Sequence, residues 1–282
     1  LKKCIIEIEP DVISSHLTAT FYLKILGIQN KIPIYHTIHA EPKFDLNFLY
    51  RFFLINPIRK GKIHLIGCCN YIAQRAKTLY KAECICINNG ISLENNIQIS
   101  IDEENIRFLF VGRFCKVKNV INIIKAFDAL ADEINNFSLI LCGDGKTNDL
   151  KETLKVIKSV RNKTNISFIG KSNDVKSVYK NNDVLVLASQ REGLPITILE
   201  ALSNGLCCMV TNVGGVSDYI KENYNGFYIK DCSKESILDC AKKIINNKKF
   251  MIEYKNNAFK SSKNVSAKVM SKRYQEVLID GK

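Results

Sequence analysis

Features that would place the chain in a membrane or mark it for export are missing from the sequence. No stretch reaches the roughly eighteen uncharged apolar residues that a helix needs to span a bilayer. The opening segment LKKCIIEIEPD lacks the apolar core and the small-residue cleavage site of a signal peptide. With 46% apolar and 24% charged residues, the composition predicts a globular protein without transmembrane helices.

Metal-binding patterns are equally scarce. None of the eleven cysteines forms a C-x-x-C pair, and none is spaced for zinc with the four histidines, His16, His36, His39 and His64. Most cysteines lie in apolar runs such as LIGCCN and CCMV, where a thiol behaves as a small buried hydrophobe. Because this pattern is typical of a reducing compartment, we expect a cytoplasmic protein without a structural zinc site.

Acidic residues are outnumbered by basic ones. The chain has 41 Lys and Arg against 28 Asp and Glu, a formal charge of +13. Such an excess favours nucleic acid, phosphorylated substrates or anionic lipid, although the cations are scattered and a general compositional bias explains much of it. No helix-turn-helix, zinc finger or RNP-like pattern occurs, so we expect no nucleic-acid partner. Peripheral attachment to the inner face of an anionic membrane stays compatible with the charge.

Short β-branched runs alternate with segments of helical periodicity along the whole chain. This alternation predicts an α/β protein in which helices cover parallel sheets, and the length favours two domains. The predicted strands are 11–15, 32–38, 62–69, 83–87, 106–112, 137–143, 166–170, 183–189, 207–211 and 226–229. The predicted helices are 17–27, 47–56, 70–80, 119–134, 147–161, 175–181, 195–204, 216–222, 234–247 and 266–278.

A turn signal at 88–90, followed by the polar stretch 92–105, marks the boundary between two blocks. We therefore predict a first Rossmann-like domain at 1–92, a second at 93–265, and a helix at 266–282 that packs back toward the first. The first block has too few strands to close a doubly wound sheet, and the chain begins with Leu. We expect that an N-terminal piece is absent from this sequence.

The most informative segment is VGRFCKVKN, residues 111–119, in which a strand ends at Gly112 and basic residues precede a helix. Ligands of open α/β sheets bind beyond the carboxyl ends of the strands, where the next helix offers amides and a positive dipole end to phosphate. Arg113, Lys116 and Lys118 therefore suggest a diphosphate site. The alternative is an ordinary basic turn after a strand.

A second segment, REGLPITILEALSNG at 191–205, follows the strand DVLVLAS. Gly193 permits close backbone approach, and Pro195 suits the first turn of a helix. Glu192 precedes that helix and Glu200 lies about two turns along it, so the pair could hold two groups of hydroxyls on one elongated ligand. Alternatively, one glutamate complements the helix N-terminus and the other forms a surface ion pair.

Two further loops are rich in glycine. TNVGGVSDYI at 211–220 places Gly214 and Gly215 between a strand and a predicted helix, an anion-binding turn unless the glycines only reverse the chain. LCGDGK carries Gly143 and Gly145 after another strand, but it completes neither a G-x-G-x-x-G nor a Walker pattern. We expect it to line the cleft.

Taken in order, these segments resemble glycosyltransferase family 4, retaining enzymes of GT-B architecture. The resemblance runs from about residue 10 to the end, and it implies two Rossmann-like domains facing a cleft, the first one incomplete, since the family's first glycine-rich loop is not present. The family's G-R-x-x-x-x-K motif matches Gly112, Arg113 and Lys118, and its E-x7-E motif matches Glu192 and Glu200, with Gly193 and Pro195 in the embedded E-G-x-P. The N-V-G-G loop matches 212–215, and the interdomain N-G-I matches 87–91. In the first block, PDVISSHL and YHTIHAE resemble two further family segments and place His16 and His39 at the family's histidines.

The resemblance implies transfer of a sugar from a nucleotide-sugar to a glycan or lipid-linked acceptor, in cell-surface polysaccharide biosynthesis, with retention of configuration. Arg113 and Lys118 would neutralise the leaving diphosphate and Glu200 would bind the ribose. No metal and no other cofactor would then be required, because cations and oriented amides do the electrostatic work and the nucleotide-sugar is itself the substrate. Other positions of the implied donor site are Gly112, Pro195, Gly214 and Gly215.

The resemblance also implies contacts to the sugar and the acceptor. Glu192 would contact donor-sugar hydroxyls beside the amides of Gly193 and Leu194. His39 could hydrogen-bond to the sugar or the acceptor, and His16 would lie on the acceptor side, although a histidine at a strand end is often structural. Two other interpretations stay open: a truncated fragment that at most binds nucleotide, and a sugar-nucleotide epimerase of the same fold.

Overall fold

All ten predicted strands form in the computed structural model, which describes residues 1–93, 97–102, 104–162 and 164–279. The predicted polar junction and the last residues of the predicted C-terminal segment lie partly outside these ranges. The chain divides into two units. Unit 1 comprises Leu1–Gly90, Glu192–Leu194 and Ala267–Lys282; unit 2 comprises Ile91–Arg191 and Pro195–Ser266.

Unit 1 is built on a parallel sheet with the strand order β1-β2-β3-β4. The two inner strands carry its buried residues, since Ile34 and Ile38 of one strand and Ile63 and Leu65 of the next are almost fully shielded from solvent. Burying such a side chain contributes about 1.5–3 kcal/mol, which fixes the register of the sheet. The strands are β1 Ile13–His16, β2 Ile34–Ile38, β3 Ile63–Gly67 and β4 Cys84–Cys86.

The helices of unit 1 include two that the sequence analysis missed, the first and the third. The last helix joins this unit: its Val277 packs with Ile66 and Ile87, and the hydroxyls of Tyr274 and Thr37 share a 3.1 Å hydrogen bond. The helices are α1 Lys2–Ile8, α2 Ala19–Ile25, α3 Pro42–Asp45, α4 Phe48–Arg59, α5 Asn70–Tyr80 and, after unit 2, α12 Ala267–Leu278.

Unit 2 has a six-stranded parallel sheet with the order β10-β9-β8-β5-β6-β7. The chain adds strands first on one side of β5 and then on the other, so the strand order reverses between β5 and β8. In open α/β sheets this reversal is the point outside which ligands bind. The strands are β5 Ile106–Val111, β6 Phe137–Cys142, β7 Ile166–Gly170, β8 Val184–Leu187, β9 Cys207–Thr211 and β10 Gly226–Ile229.

Two helix predictions for unit 2 were wrong. The predicted helix 216–222 is instead a short 3₁₀ turn, Gly214–Asp218, whose first residue has the left-handed φ of +64°. The second error is an omission: the helix Met251–Ser262 was not predicted. The helices of the unit are α6 Val120–Leu130, α7 Thr147–Ser159, α8 Val175–Lys180, α9 Ile196–Ser203, α10 Lys234–Asn246 and α11 Met251–Ser262.

Candidate active site

The loop between β5 and α6, residues 112–119, carries the predicted cations, and we call it the basic loop. One buried aromatic residue holds it in place. Phe114 is fully buried, with its ring 5.7 Å from Phe110 and 5.5 Å from Phe168. Arg113 directly precedes this anchor and is exposed. A 3₁₀ turn then carries Lys118 to the start of α6. The loop therefore presents two cations next to a helix N-terminus at the carboxyl edge of the sheet, as an anion site requires.

The glycines of LCGDGK serve close packing against this loop. A β-carbon on Gly143 would lie 1.9 Å from the carbonyl oxygen of Gly112, and one on Gly145 would lie 2.5 Å from that of Phe114. The amide of Phe114 also donates to the carbonyl of Asp144 at 2.6 Å. Glycine is thus required here so that two backbones can approach, which is a structural role.

The loops that follow β5, β8 and β9 are joined by hydrogen bonds. The amide of Gln190, after β8, donates to the carbonyl of Val117 in the basic loop at 2.9 Å. The hydroxyl of Thr211, at the end of β9, donates to the carbonyl of Ser189 at 2.6 Å. These bonds fix three loops together at the point where the strand order reverses.

Glu200 lies on α9, which Pro195 precedes at the N-cap rather than within the first turn as predicted. Its Oε2 accepts a 2.8 Å hydrogen bond from the hydroxyl of Tyr179. Both residues line a pocket of about 270 Å³. The carboxylate is therefore held at one oxygen by the protein and faces a cavity of ligand size. The lining residues are Ile91, Ser92, Val175, Lys176, Tyr179, Glu200, Ser203 and Asn204.

Tyr179 was not among the sequence candidates. It lies on α8, whose start is capped by the Asp174 carboxylate, which accepts from the amide of Ser177 at 3.1 Å. Its side chain is only 1% exposed. Burial raises the pKa of Tyr179, and the neighbouring Glu200 raises it further, so the phenol stays protonated and acts as a donor. The only sequence signal was an aromatic residue on a short helix, which ordinarily indicates core packing.

The segment Glu192–Leu194 groups with unit 1, where Gly193 meets the backbone after β2. A β-carbon at this glycine would lie 2.1 Å from the carbonyl oxygen of His39 and 2.9 Å from the α-carbon of Ala40. No side chain can be accommodated at that separation. The structure therefore brings the predicted sugar-contact segment and the predicted histidine together.

The two predicted histidines are also adjacent. His16 Nδ1 and His39 Nε2 share a hydrogen bond of 2.8 Å, and their rings stack. Partial burial lowers the pKa of His39, as does the neighbouring His16. The pKa of His16 is also lowered, mainly by burial and to a smaller extent by the neighbouring His36. The pair is therefore neutral near pH 7, with one ring able to donate a proton in a hydrogen bond and the other able to accept.

A buried polar network that the sequence analysis did not identify supports His39. The carboxylate of Asp45 accepts from the amide of His39 at 3.2 Å through one oxygen and contacts His36 Nε2 at 3.2 Å through the other. The second ring nitrogen of His36 lies 2.7 Å from the hydroxyl of Thr20. Histidine in the otherwise apolar run IPIYHTI was the one sequence signal for it.

The Gly214 and Gly215 turn begins three residues after β9. It shares the carboxyl edge of the unit 2 sheet with Arg113, Lys118 and Pro195. Across the described ranges, no group of three or more His, Cys, Asp or Glu side chains is placed to hold a metal ion.

Comparisons with known proteins match this architecture. The family glycosyl transferases group 1 matches residues 93–261, a span that includes the basic loop, the E-x7-E segment and the glycine turn. The chain belongs to the glycosyl transferases group 1 family. Its two parallel sheets are those of the GT-B fold, which this family shares.

Two relatives indicate the chemistry found in the family. The chain is 30% identical over 173 residues to UDP-Gal:α-D-GlcNAc-diphosphoundecaprenol α-1,3-galactosyltransferase of Escherichia coli, covering 60% of the chain and 44% of that enzyme. It is 28% identical over 270 residues to the GalNAc-α-(1->4)-GalNAc-α-(1->3)-diNAcBac-PP-undecaprenol α-1,4-N-acetyl-D-galactosaminyltransferase of Campylobacter jejuni, covering 92% of the chain and 71% of that enzyme. The chain thus spans less than half of the first relative.

Solved structures agree on the fold. The Anabaena protein HepE in complex with UDP matches with a TM-score of 0.85 at 16% identity, over 98% of this chain and 80% of that one. A glycosyltransferase from Rickettsia africae matches with a TM-score of 0.82 at 16% identity, over 98% of this chain and 78% of that one. In the described part of this chain, no helix combines the length and the apolar character needed to cross a membrane.

Proposed function

We propose that this chain moves a sugar from a nucleotide-sugar to a lipid-linked glycan acceptor with retention of configuration, in the cytoplasm, as a step in cell-surface polysaccharide synthesis. The observation that carries the proposal is the carboxyl edge of the unit 2 sheet. There hydrogen bonds join the loop after β8 to the basic loop and to the end of β9, where the strand order reverses, and the helix that follows β8 carries Glu200. The family match covers the same residues.

The donor would be held by charge at one end and by hydrogen bonds at the other. Arg113 and Lys118 would pair with the diphosphate, whose negative charge grows as it leaves the anomeric carbon. Glu200, held by Tyr179, would accept hydrogen bonds from the ribose. The donor site would also include Pro195 and three glycines, Gly112, Gly214 and Gly215, whose backbone can approach the ligand closely.

The reacting sugar would be held by the predicted sugar-contact segment and the predicted histidines. Glu192 would accept from sugar hydroxyls beside the amides of Gly193 and Leu194. His39 would hydrogen-bond to the sugar or the acceptor, with His16 beside it on the acceptor side. The acceptor hydroxyl would attack the anomeric carbon from the face that the diphosphate leaves, which retains the configuration. In this proposal two cations replace a divalent ion, so no metal is required.

The relatives support a uridine nucleotide and a lipid-linked acceptor. The name of the E. coli enzyme specifies UDP-Gal, and both relatives' names specify undecaprenol diphosphate acceptors. Their names describe transfer, which favours a transferase over an epimerase. UDP-sugars are accordingly the donors to test first.

The experiment is a transfer assay with UDP-galactose, UDP-N-acetylgalactosamine and UDP-glucose, an undecaprenyl-diphosphate-linked sugar acceptor, and EDTA. We expect one labelled sugar to appear in the lipid product with an α-linkage by NMR, matching the α-configured donor. A β-linked product would contradict retention. An epimerised donor without transfer would overturn the transferase assignment. Binding of UDP without any transfer would identify the chain as a fragment that only binds nucleotide.

A further inference from the structure

Asn119 is the last residue of the basic loop and connects it to α6. It ends the 3₁₀ turn Lys116–Lys118 and is the N-cap of the helix. Its φ of +57° lies in the left-handed region, which asparagine and glycine adopt more readily than other residues. The residue is only 9% exposed. The directions of α6 and of Lys118, immediately before it, therefore depend on the conformation of one buried residue.

The side chain of Asn119 is directed away from its own helix. Asparagine at an N-cap ordinarily accepts, through its side-chain oxygen, a hydrogen bond from an amide of the first turn. Within the described structure Asn119 makes no such bond, and its Nδ2 instead donates to the carbonyl of Cys232 at 2.7 Å. The first-turn amides of α6 are thus not capped by Asn119, which suits a helix N-terminus that binds phosphate.

The acceptor of this bond lies in a well-ordered loop between β10 and α10. In that loop the Asp231 carboxylate accepts from the amide of Ser233 at 2.8 Å, and the Ser233 hydroxyl caps α10 by accepting from the amide of Ser236 at 3.1 Å. Asn122, in the first turn of α6, also donates its Nδ2 to the Cys232 carbonyl, at 3.1 Å. A carbonyl oxygen has two lone pairs, so the two donors saturate it. We call these two bonds the asparagine clasp.

The clasp completes the support of Lys118 on both sides. On one side, the carbonyl of Val117 accepts from the amide of Gln190, in the loop after β8, at 2.9 Å. On the other side, Asn119 holds the loop after β10. The two chain neighbours of this lysine are therefore bonded to two different loops at the carboxyl edge of the unit 2 sheet.

We propose that Asn119 is a positioning residue for the donor diphosphate: through the clasp it fixes Lys118 and the first-turn amides of α6 where the diphosphate binds. Electrostatic stabilisation of a leaving group depends on charges and dipoles that are held in place before the reaction. Asn119 contributes to it without touching the substrate. The inference rests on the proposed function and deepens it by naming what orients the basic loop.

The test compares the binding of UDP, by calorimetry, with that of uridine, by NMR shift titration, because uridine lacks the diphosphate. Asn119→Gly keeps the left-handed backbone and removes the Nδ2 donor, so the Kd for UDP should rise about five-fold. Asn119→Asp also supplies a carboxylate that can cap the α6 amides in place of phosphate, so the Kd should rise at least about 30-fold. Both variants should bind uridine within about two-fold of wild type.

The matched control is Asn257→Ala in α11, which removes another buried side-chain amide, one that donates to the carbonyl of Tyr224 at 3.1 Å. It should leave the affinity for both ligands unchanged. Equal weakening of UDP and uridine by Asn119→Gly would indicate a general packing role and overturn the inference. Wild-type affinity for UDP in the glycine variant would overturn it as well. If the aspartate variant does not fold, the glycine variant alone decides.

The same measurements separate this inference from the donor site. If the folded wild type does not bind UDP, both the donor site and the positioning role are overturned. If wild type binds UDP and only the Arg113→Ala, Lys118→Ala double variant loses it, while the Asn119 variants bind like wild type, the donor site stands and the role of the clasp alone is overturned.

Discussion

Replacing Tyr179 with phenylalanine removes a single hydroxyl and keeps the buried ring. That hydroxyl donates to Glu200 at 2.8 Å, and the ring fills a site that is almost closed to solvent. The variant therefore keeps its packing and loses the bond that fixes the carboxylate beside the pocket. Tyr179 would act as a positioning residue for Glu200, which we propose binds the ribose.

A hydrogen bond to a charged acceptor contributes about 1.5–3 kcal/mol. If most of that value is used to orient Glu200, the Kd for UDP should rise about ten-fold in the variant, since 1.4 kcal/mol corresponds to that factor. The free energy of unfolding should change by less than the free energy of UDP binding, because water in the pocket can still hydrate Glu200. Tyr228→Phe removes a comparable hydroxyl, which donates to the carbonyl of Ile220 in the same unit, and is the control.

Calorimetry with UDP, 2′-deoxy-UDP and 3′-deoxy-UDP measures whether the effect passes through the ribose. The loss caused by Tyr179→Phe should disappear with the analogue that lacks the hydroxyl bound by Glu200. An equal loss with all three nucleotides would refute the positioning role and indicate a packing defect. Unchanged UDP affinity would refute it as well, whereas loss of affinity in Tyr228→Phe would show that the assay reports stability.

Three further predictions concern other parts of the structure. Gly193→Ala should destabilise the fold by about 1–3 kcal/mol in a denaturant titration, because its β-carbon would lie 2.1 Å from the His39 carbonyl oxygen; an unchanged midpoint would contradict that packing. Asp183→Asn should cost about 3–5 kcal/mol by the same measurement, since it leaves the buried Lys255 without its carboxylate. An NMR titration should show that the pKa of His39 lies below its ordinary value of 6.5, and the His16→Ala variant should raise this pKa. An unchanged pKa of His39 in that variant would show that the neighbouring His16 ring does not lower it.

The Asp183 prediction also has a pH dependence. Burial acts to raise the pKa of Asp183, but hydrogen bonds from Arg107 and the charge of Lys255 together outweigh burial, so this pKa lies below its ordinary value. A carboxyl with a depressed folded pKa stabilises the protein above its unfolded pKa, near 3.9, and loses that contribution as the pH falls through the folded value. Wild type and Asp183→Asn should therefore converge in stability below about pH 4; parallel curves would contradict the assignment.

Strands were predictable here because each is a short apolar run that the sheet buries. β8, VLVL, is buried at every position, which is the expectation for a parallel strand covered on both faces. Helix α11 was not predicted because its buried side is not uniformly apolar. Its buried side includes Lys255 and Asn257, so its apolar periodicity is interrupted by polar residues whose partners lie elsewhere in the chain.

Candidates for the site could be proposed where one segment carries the signal. The basic loop and the glutamate pair stand in contiguous stretches, so residue type and spacing were enough to propose them. Tyr179 and Glu200 are 21 residues apart, and their contact depends on how α8 and α9 pack. Likewise, Asp45 reaches His36 and His39 only once α3 is formed, and a four-residue helix leaves no periodic pattern to predict.

The proposed function depends on binding of a uridine nucleotide's diphosphate by the basic loop. Calorimetry of UDP with the purified chain in EDTA measures this binding, and the Arg113→Ala, Lys118→Ala double variant removes both cations. The control is Lys155→Ala with Lys158→Ala, which removes the same charge from exposed positions of α7. We predict that wild type and control bind UDP and that the loop variant binds at least about 100-fold more weakly, since two charge-assisted contacts are lost. Equal affinities for loop variant and control, or no UDP binding by the folded wild type, would rule out the basic loop as the diphosphate site.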